Sequence, residues 1–341
     1  MLALSLILVS FFVVAVPVVQ GQLTIGGTQS KIALKIEPAQ PRPFDELTII
    51  VESFSTDLNR ASIEWFIDGK SVQSGKGDKE LKTIAPALGA KKEIRVVAGT
   101  ADIGTLRVTA IIRPAEVNLL FQANTYTPPF YKGKALPTHK SGVRVVAIPN
   151  LVTSAGAKIS AKDAIYTWKE NGTVQGDKSG RGKDSYAVKE ISIMRGHALV
   201  SVEVSSPDRT VQAAETIVIR PQTPKIVLYE NNPLEGIKYN KAITGTYSLV
   251  NEEVTLQAIP YFFGVLDKEA SELQYKWSLN NQPVEAAEFT QSGITLQKGE
   301  ESGTAKVLLQ INHKSNVFEV ASRSFLIEFG NTSPGFFPTT P

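Results

Sequence analysis

Cysteine is absent from all 341 residues. That excludes disulfide staples, thiolate metal centres and a lipid-modified N-terminal cysteine. Histidine is nearly as scarce, with His139, His197 and His313 the only three. A histidine metal site or a triad needs at least two of them gathered with acids, which the parsing below does not do, so they read as surface or turn residues. An excess of one charge is missing as well. The 36 basic and 33 acidic residues are interspersed and leave +3 overall, a field too weak to argue for nucleic acid or anionic lipid as a partner. No Gly-x-Ser-x-Gly, P-loop or His-Glu-x-x-His is present. Hydrolase and nucleotide readings lack their parts, so the chain is read as non-enzymatic, with no catalytic residue.

What is present begins with an apolar run. Leu2 to Val19 carries no charge, and Val19-Gln20-Gly21 puts small or modest residues before a cut. Residues 1–21 therefore read as a signal peptide cleaved after Gly21, although no Lys or Arg precedes the run. Kept in place, a run of this length is at the lower limit for a membrane anchor, which would be the chain's one tie to a membrane. Export without cysteine fits a bacterial or archaeal envelope better than a eukaryotic secretory route, so the expected place is secreted, on the cell surface or in the periplasm.

The three tryptophans mark three copies of one element. Ser62-Ile63-Glu64-Trp65-Phe66-Ile67-Asp68-Gly69, Ala164-Ile165-Tyr166-Thr167-Trp168-Lys169-Glu170-Asn171-Gly172 and Ser271-Glu272-Leu273-Gln274-Tyr275-Lys276-Trp277-Ser278-Leu279-Asn280-Asn281 each alternate with a period of two. Each ends in residues that tolerate the positive φ of a tight hairpin. Trp65, Trp168 and Trp277, with Tyr166 and Tyr275, are the candidate structural core. Spacings of 103 and 109 residues between the tryptophans favour three domains of about 100 residues each.

Internal similarity sets the boundaries. Ala110-Ile111-Ile112-Arg113-Pro114 matches Ile217-Val218-Ile219-Arg220-Pro221, and Val143 to Pro149 parallels Val254 to Pro260. The parsing is a flexible lead over 22–30, domains over 31–114, 115–221 and 222–330, and a tail over 331–341 too rich in Pro, Thr and Gly to fold alone, expected to be disordered. Ala198, Val200, Val202 and Val204, like Ala305, Val307, Leu309 and Ile311, alternate with polar residues as strands with one buried face do. The expected fold class is all-β, three antiparallel sandwiches in tandem. The joints at Arg113-Pro114 and Arg220-Pro221 have too few residues after them for free tumbling, which predicts a semi-rigid array.

This pattern resembles tandem immunoglobulin-like sandwiches, in particular the PKD-like domains of bacterial cell-surface proteins. The resemblance rests on Tyr166-Thr167-Trp168-Lys169-Glu170-Asn171-Gly172 and Tyr275-Lys276-Trp277 and covers residues 31–330. The Gly-Asp-Gly of PKD hairpins and the cysteine pair of antibody-type domains are both missing. The resemblance implies an extracellular spacer, adhesion or binding module.

Candidate surface features are few. Tyr126, Phe130 and Tyr131, together with Tyr239, Tyr261, Phe262 and Phe263, would make a stacking platform for glycan or peptide if exposed. Buried, they would wedge neighbouring domains together, and the matching repeat positions of Tyr131 and Tyr239 favour that role. The basic loop from Lys178 to Lys183 reads as a mobile solvated loop rather than a site for an anionic polymer. No cofactor is expected. Structural calcium is the one candidate, because Glu116 and Glu230-Asn231-Asn232 with Glu235 supply only half a site near the junctions. The functional reading is a structural spacer or adhesion arm with an envelope protein or glycan as partner. The rivals are a carbohydrate- or peptide-binding module and an envelope or pilus assembly factor.

Overall fold

The computed structural model describes residues 32–153, 155–285, 290–299 and 302–330. Residues 1–21, read above as a signal peptide, the lead over 22–30 and the tail over 331–341 lie outside the described residues. Runs of alternating apolar and polar residues form the strands, as their pattern of burial shows. Over Gly303–His313, Ala305, Val307, Leu309 and Ile311 are buried, whereas Lys306, Leu308 and Gln310 are exposed. Apart from a three-residue 3-10 turn at Gly176–Lys178, the described residues contain no helix, and none is long and apolar enough to cross a membrane.

The first sandwich is built from β1 (Ile32–Glu37), β2 (Glu46–Ser53), β3 (Ser62–Ile67), β4 (Lys70–Lys76), β5 (Glu80–Ile84), β6 (Lys92–Thr100) and β7 (Gly104–Ile112). One sheet has the order β1-β2-β5 and the other β4-β3-β6-β7. Leu34, Ile49 and Leu81 from the one meet Ile63, Trp65 and Val96 from the other in a single core. The middle segment supplies β8 (Glu116–Ala123), β9 (Val143–Asn150), β10 (Ile165–Glu170), β11 (Thr173–Val174), β12 (Gly180–Arg181), β13 (Ser185–Val188), β14 (Ala198–Ser205) and β15 (Gln212–Ile219). Its sheets run β13-β9-β8 and β11-β10-β14-β15, with β12 against β10.

The last segment supplies β16 (Lys225–Asn232), β17 (Gly236–Ile243), β18 (Tyr247–Leu249), β19 (Glu253–Tyr261), β20 (Leu273–Leu279), β21 (Gln282–Val284), β22 (Gly293–Gln297), β23 (Gly303–His313) and β24 (Asn316–Phe329). The sheets β17-β16-β19-β22 and β18-β24-β23-β20-β21 close on a core that includes Leu228, Leu256, Phe263, Trp277, Leu309 and Phe325. Pairing is antiparallel except for β18, which lies parallel to β24. The chain is thus all-β, with three immunoglobulin-like sandwiches in sequence.

The three tryptophan strands are equivalent in detail. Each indole donates its Nε1–H to a main-chain carbonyl 13 to 15 residues on: Trp65 to Asp78 and Trp168 to Lys183, both at 2.8 Å, and Trp277 to Gln291 at 3.2 Å. A fully buried indole needs such a partner, and the loop before the next strand supplies it each time. The hairpin turns Asp68-Gly69, Asn171-Gly172 and Asn280-Asn281 have positive φ at both central residues, as a type I′ turn requires. In each, the first residue also clasps the adjacent strand. Asp68 N donates to Glu93 O and Asp68 Oδ1 accepts from Glu93 N, both at 2.9 Å. Asn171 does the same with Leu199, and Asn280 with Lys306.

By internal contacts the chain divides into two compact units. The first is Met1–Val117 with Pro149–Ala164 and Val204–Ala214. Within it lie the first sandwich, a bridge between Val152 and Lys158, and a turn in which Ser206 N donates to Val211 O. The second is Asn118–Ile148, Ile165–Glu203 and Glu215–Pro341. It holds the Trp168 and Trp277 strands and the site described next.

Candidate functional site

The connection from β8 to β9, residues 124–142, is the longest between consecutive strands in the middle segment and carries the aromatic residues singled out above. Asn124 N donates to Gly142 O at 2.8 Å and closes its base. Pro128-Pro129 stiffens the next stretch, where Tyr131 N turns back onto Pro128 O at 3.3 Å. Between these points Tyr126 pairs with the third sandwich as a strand would. Its N–H donates to Phe263 O and its carbonyl accepts from Phe262 N, both at 2.8 Å. The Tyr126 ring packs on the third core, and burial pushes its phenol up to about 12.

Further on, a tight turn over Thr138 to Ser141 turns polar groups towards β24. Thr138 N donates to Ser141 Oγ at 2.9 Å, and Lys140 takes φ +66°. The Thr138 hydroxyl donates to a carboxylate oxygen of Glu319. The other oxygen accepts from Gly264 N at 2.8 Å, and Asn316 Nδ2 donates to His139 O at 2.8 Å. Glu319 and Thr138 are each only 1% exposed. Among the described residues no basic side chain pairs with this carboxylate, so two hydrogen bonds carry the cost of burying it. Gly264 is fixed by the same contact, since a Cβ there would stand 2.9 Å from Glu319 Oε1.

The aromatic residues divide between core, junction and surface. Phe263 is wholly buried in the third core and Phe262 is 5% exposed, so neither belongs to a stacking platform. Tyr131 meets Tyr261 and Phe262 edge-on, with ring centroids 5.5 and 6.2 Å apart. Tyr229 joins this group through its hydroxyl, 3.1 Å from that of Tyr261, and stands edge-on to Tyr239 at 5.3 Å. Burial, then the Tyr229 hydroxyl, holds the Tyr261 phenol well above its ordinary range. Tyr131 lies directly over Gly133, where a Cβ would meet its ring at 2.4 Å. Phe130 projects, 96% exposed at φ +62°, and Tyr131 beside it keeps part of its ring in solvent. Of the core candidates, Trp65, Trp168 and Tyr166 are fully buried and Trp277 is 4% exposed. Tyr275 is half-buried, its hydroxyl donating to Lys268 O at 2.6 Å.

His139 stands in the Thr138–Ser141 turn, in keeping with a turn residue, with its ring edge-on to Phe318 at 6.0 Å and its Nδ1 buried without a partner. One expectation needs correction: the Lys178 to Lys183 segment is not a free loop. Ser179 Oγ accepts from Trp168 N, Lys183 O accepts from its indole, and Gly180–Arg181 pairs with β10, so the segment holds the tryptophan in place. The carboxylate of Glu230 faces Lys238 at 2.8 Å and the Tyr247 hydroxyl at 3.1 Å, and these bonds, that to Lys238 first, hold it below the usual carboxylate range. Among the described residues no three histidine, aspartate or glutamate side chains gather in a way that could hold a metal ion.

The sequence reading missed Thr138, Gly264, Asn316 and Glu319. The available signal was Glu319 itself, an acid at a buried position of β24 next to Phe318 and Val320. What the arrangement does is mechanical. It joins the 124–142 loop to the third sandwich by main-chain pairing, ring packing and a buried carboxylate.

No protein-family model matches the chain, and no curated protein matches it either. Solved structures do. The central fibronectin-III array of RIM-binding protein covers 88% of this chain and 96% of its own at 12% identity, TM-score 0.31. Sidekick-1 immunoglobulin domains 1–5 cover 88% and 60% at 14% identity, TM-score 0.22. SGBP-B of the Bacteroides ovatus mixed-linkage glucan utilization locus, in complex with a heptasaccharide, covers 86% and 70% at 12% identity, TM-score 0.23. The first two of these are tandem fibronectin-III and immunoglobulin arrays, and the fold assigned here rests on the sheets described above.

Proposed function

We propose that the protein is an exported, non-catalytic arm of the cell envelope or surface, in which tandem sandwiches hold an interaction surface at a set distance. The observation that carries this reading is the buried Glu319 clasp. A carboxylate taken out of water to join Thr138 and Gly264 is costly to assemble and serves to fix one sandwich on the next. Interfaces between domains of one chain are otherwise often small and mobile. Export rests on the apolar run Leu2 to Val19, with Gln22 as the mature N-terminus. The partner is an envelope protein or a glycan, and no cofactor takes part.

The absence of native cysteine makes the test direct. Spin labels on cysteines introduced at the exposed positions Met194 and Lys276 report the distance between the second and third sandwiches. A single narrow distance distribution is expected, whereas a broad one would remove the fixed-arm reading. Mass spectrometry of the native protein checks for Gln22 at its start. A second reading, a glycan- or peptide-binding module, is favoured by one observation: Phe130 stands almost wholly in solvent beside the Tyr131 ring cluster. Loss of binding to immobilised envelope polysaccharide on Phe130→Ala would support it.

A further inference from the structure

β24 pairs along its length with β23, but on its other side only β18 pairs with it, over Ile327–Phe329. Beyond β18 the chain leaves this edge at Thr244–Gly245 to reach β17 in the opposite sheet. Over Val320–Leu326, no strand among the described residues takes up the second side of β24. Its row of main-chain donors and acceptors is open there.

The period of two turns Glu319, Ala321, Arg323, Phe325 and Ile327 towards the interior. Phe325 and Ile327 fill the core, so Arg323 occupies a position where the pattern calls for an apolar residue. One guanidinium nitrogen, Nη2, donates to Thr244 O at 3.0 Å and to Ile243 O at 3.4 Å. Nε is buried without a partner, and among the described residues no carboxylate pairs with Arg323. Beside it lies a cleft of about 530 Å³ lined by Ile226, Ile243, Val320, Ala321 and Arg323, with Lys225 at its rim.

The open edge and the unpaired cation call for the same occupant. An extended segment laid along β24 would complete the ladder, as β18 does over the next three residues, Ile327–Phe329. One acidic side chain turned inward would meet the guanidinium fork, and an apolar neighbour would enter the cleft between Ile226 and Ile243. We propose that the free edge of β24, at Val320–Leu326, is a strand-addition site for an extended acidic segment of a protein partner, with one Asp or Glu held by Arg323. The opposite role for such a residue is a guard, since an inward charge deters strand pairing at a sheet edge. The unmet Nε and the open cleft favour the receptor.

The test uses the full chain and the heptapeptide amide Thr-Val-Thr-Glu-Thr-Val-Thr, labelled with fluorescein at its N-terminal amine. Fluorescence anisotropy should show saturable binding, at least tenfold weaker for the peptide with Gln in place of Glu and abolished by N-methylation at alternate residues. Arg323→Gln should weaken binding of the Glu peptide to the level of the Gln peptide. Amide exchange at Val320–Leu326 should slow on binding. The Glu/Gln comparison on the unaltered chain keeps the test valid if the variant folds poorly. Absence of saturable binding, equal binding of both peptides, or tighter binding by Arg323→Gln, as a guard predicts, overturns the proposal. It stands apart from the Glu319 clasp, and the two experiments fail independently.

Discussion

Glu319→Ala is the sharpest test of the junction, because the residue is almost fully buried and its two partners are known. Gly264 N–H is fixed by the main chain and loses its acceptor, which costs about 1–2 kcal/mol for this half-buried donor. The Thr138 hydroxyl can rotate, but its neighbourhood is dry, so it recovers little and costs about 1 kcal/mol more. Release of a carboxylate from a buried site without a cation offsets part of this. The net loss is about 2 kcal/mol, roughly a 30-fold fall in the ratio of docked to undocked sandwiches. In the spin-label experiment the narrow distance distribution should broaden, and exchange at the Phe262, Gly264 and Tyr126 amides should accelerate together. Glu319→Gln is the control. Its carbonyl can accept from Gly264 N and its amide can donate to Thr138 Oγ1, so the loss should be below about 1 kcal/mol. An unchanged distribution for Glu319→Ala, with exchange at Gly264 as slow as before, would falsify the clasp.

Three further outcomes follow from particular contacts. Trp168→Ala should cost its own sandwich about 3–5 kcal/mol, and Trp168→Phe, which mainly leaves Lys183 O without its donor, about 1–2 kcal/mol. Denaturant unfolding monitored by far-ultraviolet circular dichroism decides this, with Trp65 and Trp277 fluorescence reporting the other two sandwiches, and an equal shift in the Trp277 transition would contradict separate cores. Gly133→Ala should push the Tyr131 ring off Tyr261 and Phe262 at a cost of about 0.5–1.5 kcal/mol, seen as loss of ring-current shifts on those residues, with the sheets intact. Glu269 supplies a pH dependence. Burial pushes its carboxyl up, but the hydroxyls of Ser292 and Thr290 and the Lys268 ammonium outweigh this and hold it below the ordinary 4.5. The unfolded chain therefore takes up the proton first, so the contribution is complete above about 4.5 and fades as pH falls through the lower folded value. The urea midpoint of Glu269→Gln should lack that part of the acid decline; an unaltered decline would refute the assignment.

Much of the fold is legible in the residues because a strand's side chains alternate strictly, and this chain keeps the alternation wherever one face is buried. Trp65, Trp168 and Trp277 could be placed on equivalent strands from spacing alone, and Asp68-Gly69, Asn171-Gly172 and Asn280-Asn281 announced their turns through the positive φ those residues tolerate. Local chemistry determines such features, so local sequence carries them. The carbonyls that receive the indoles lie 13 to 15 residues away on loops with no shared motif, and only folding brings them there. The same holds for the junction. Thr138 and Glu319 are 181 residues apart, and nothing in either neighbourhood specifies the other. Phe262 and Phe263 follow a strand legible in the sequence, whereas Glu319 and Arg323 lie on one that the structure defines. Whether each meets core, cleft or a second sandwich depends on which surfaces pack together, and the tertiary structure alone decided that.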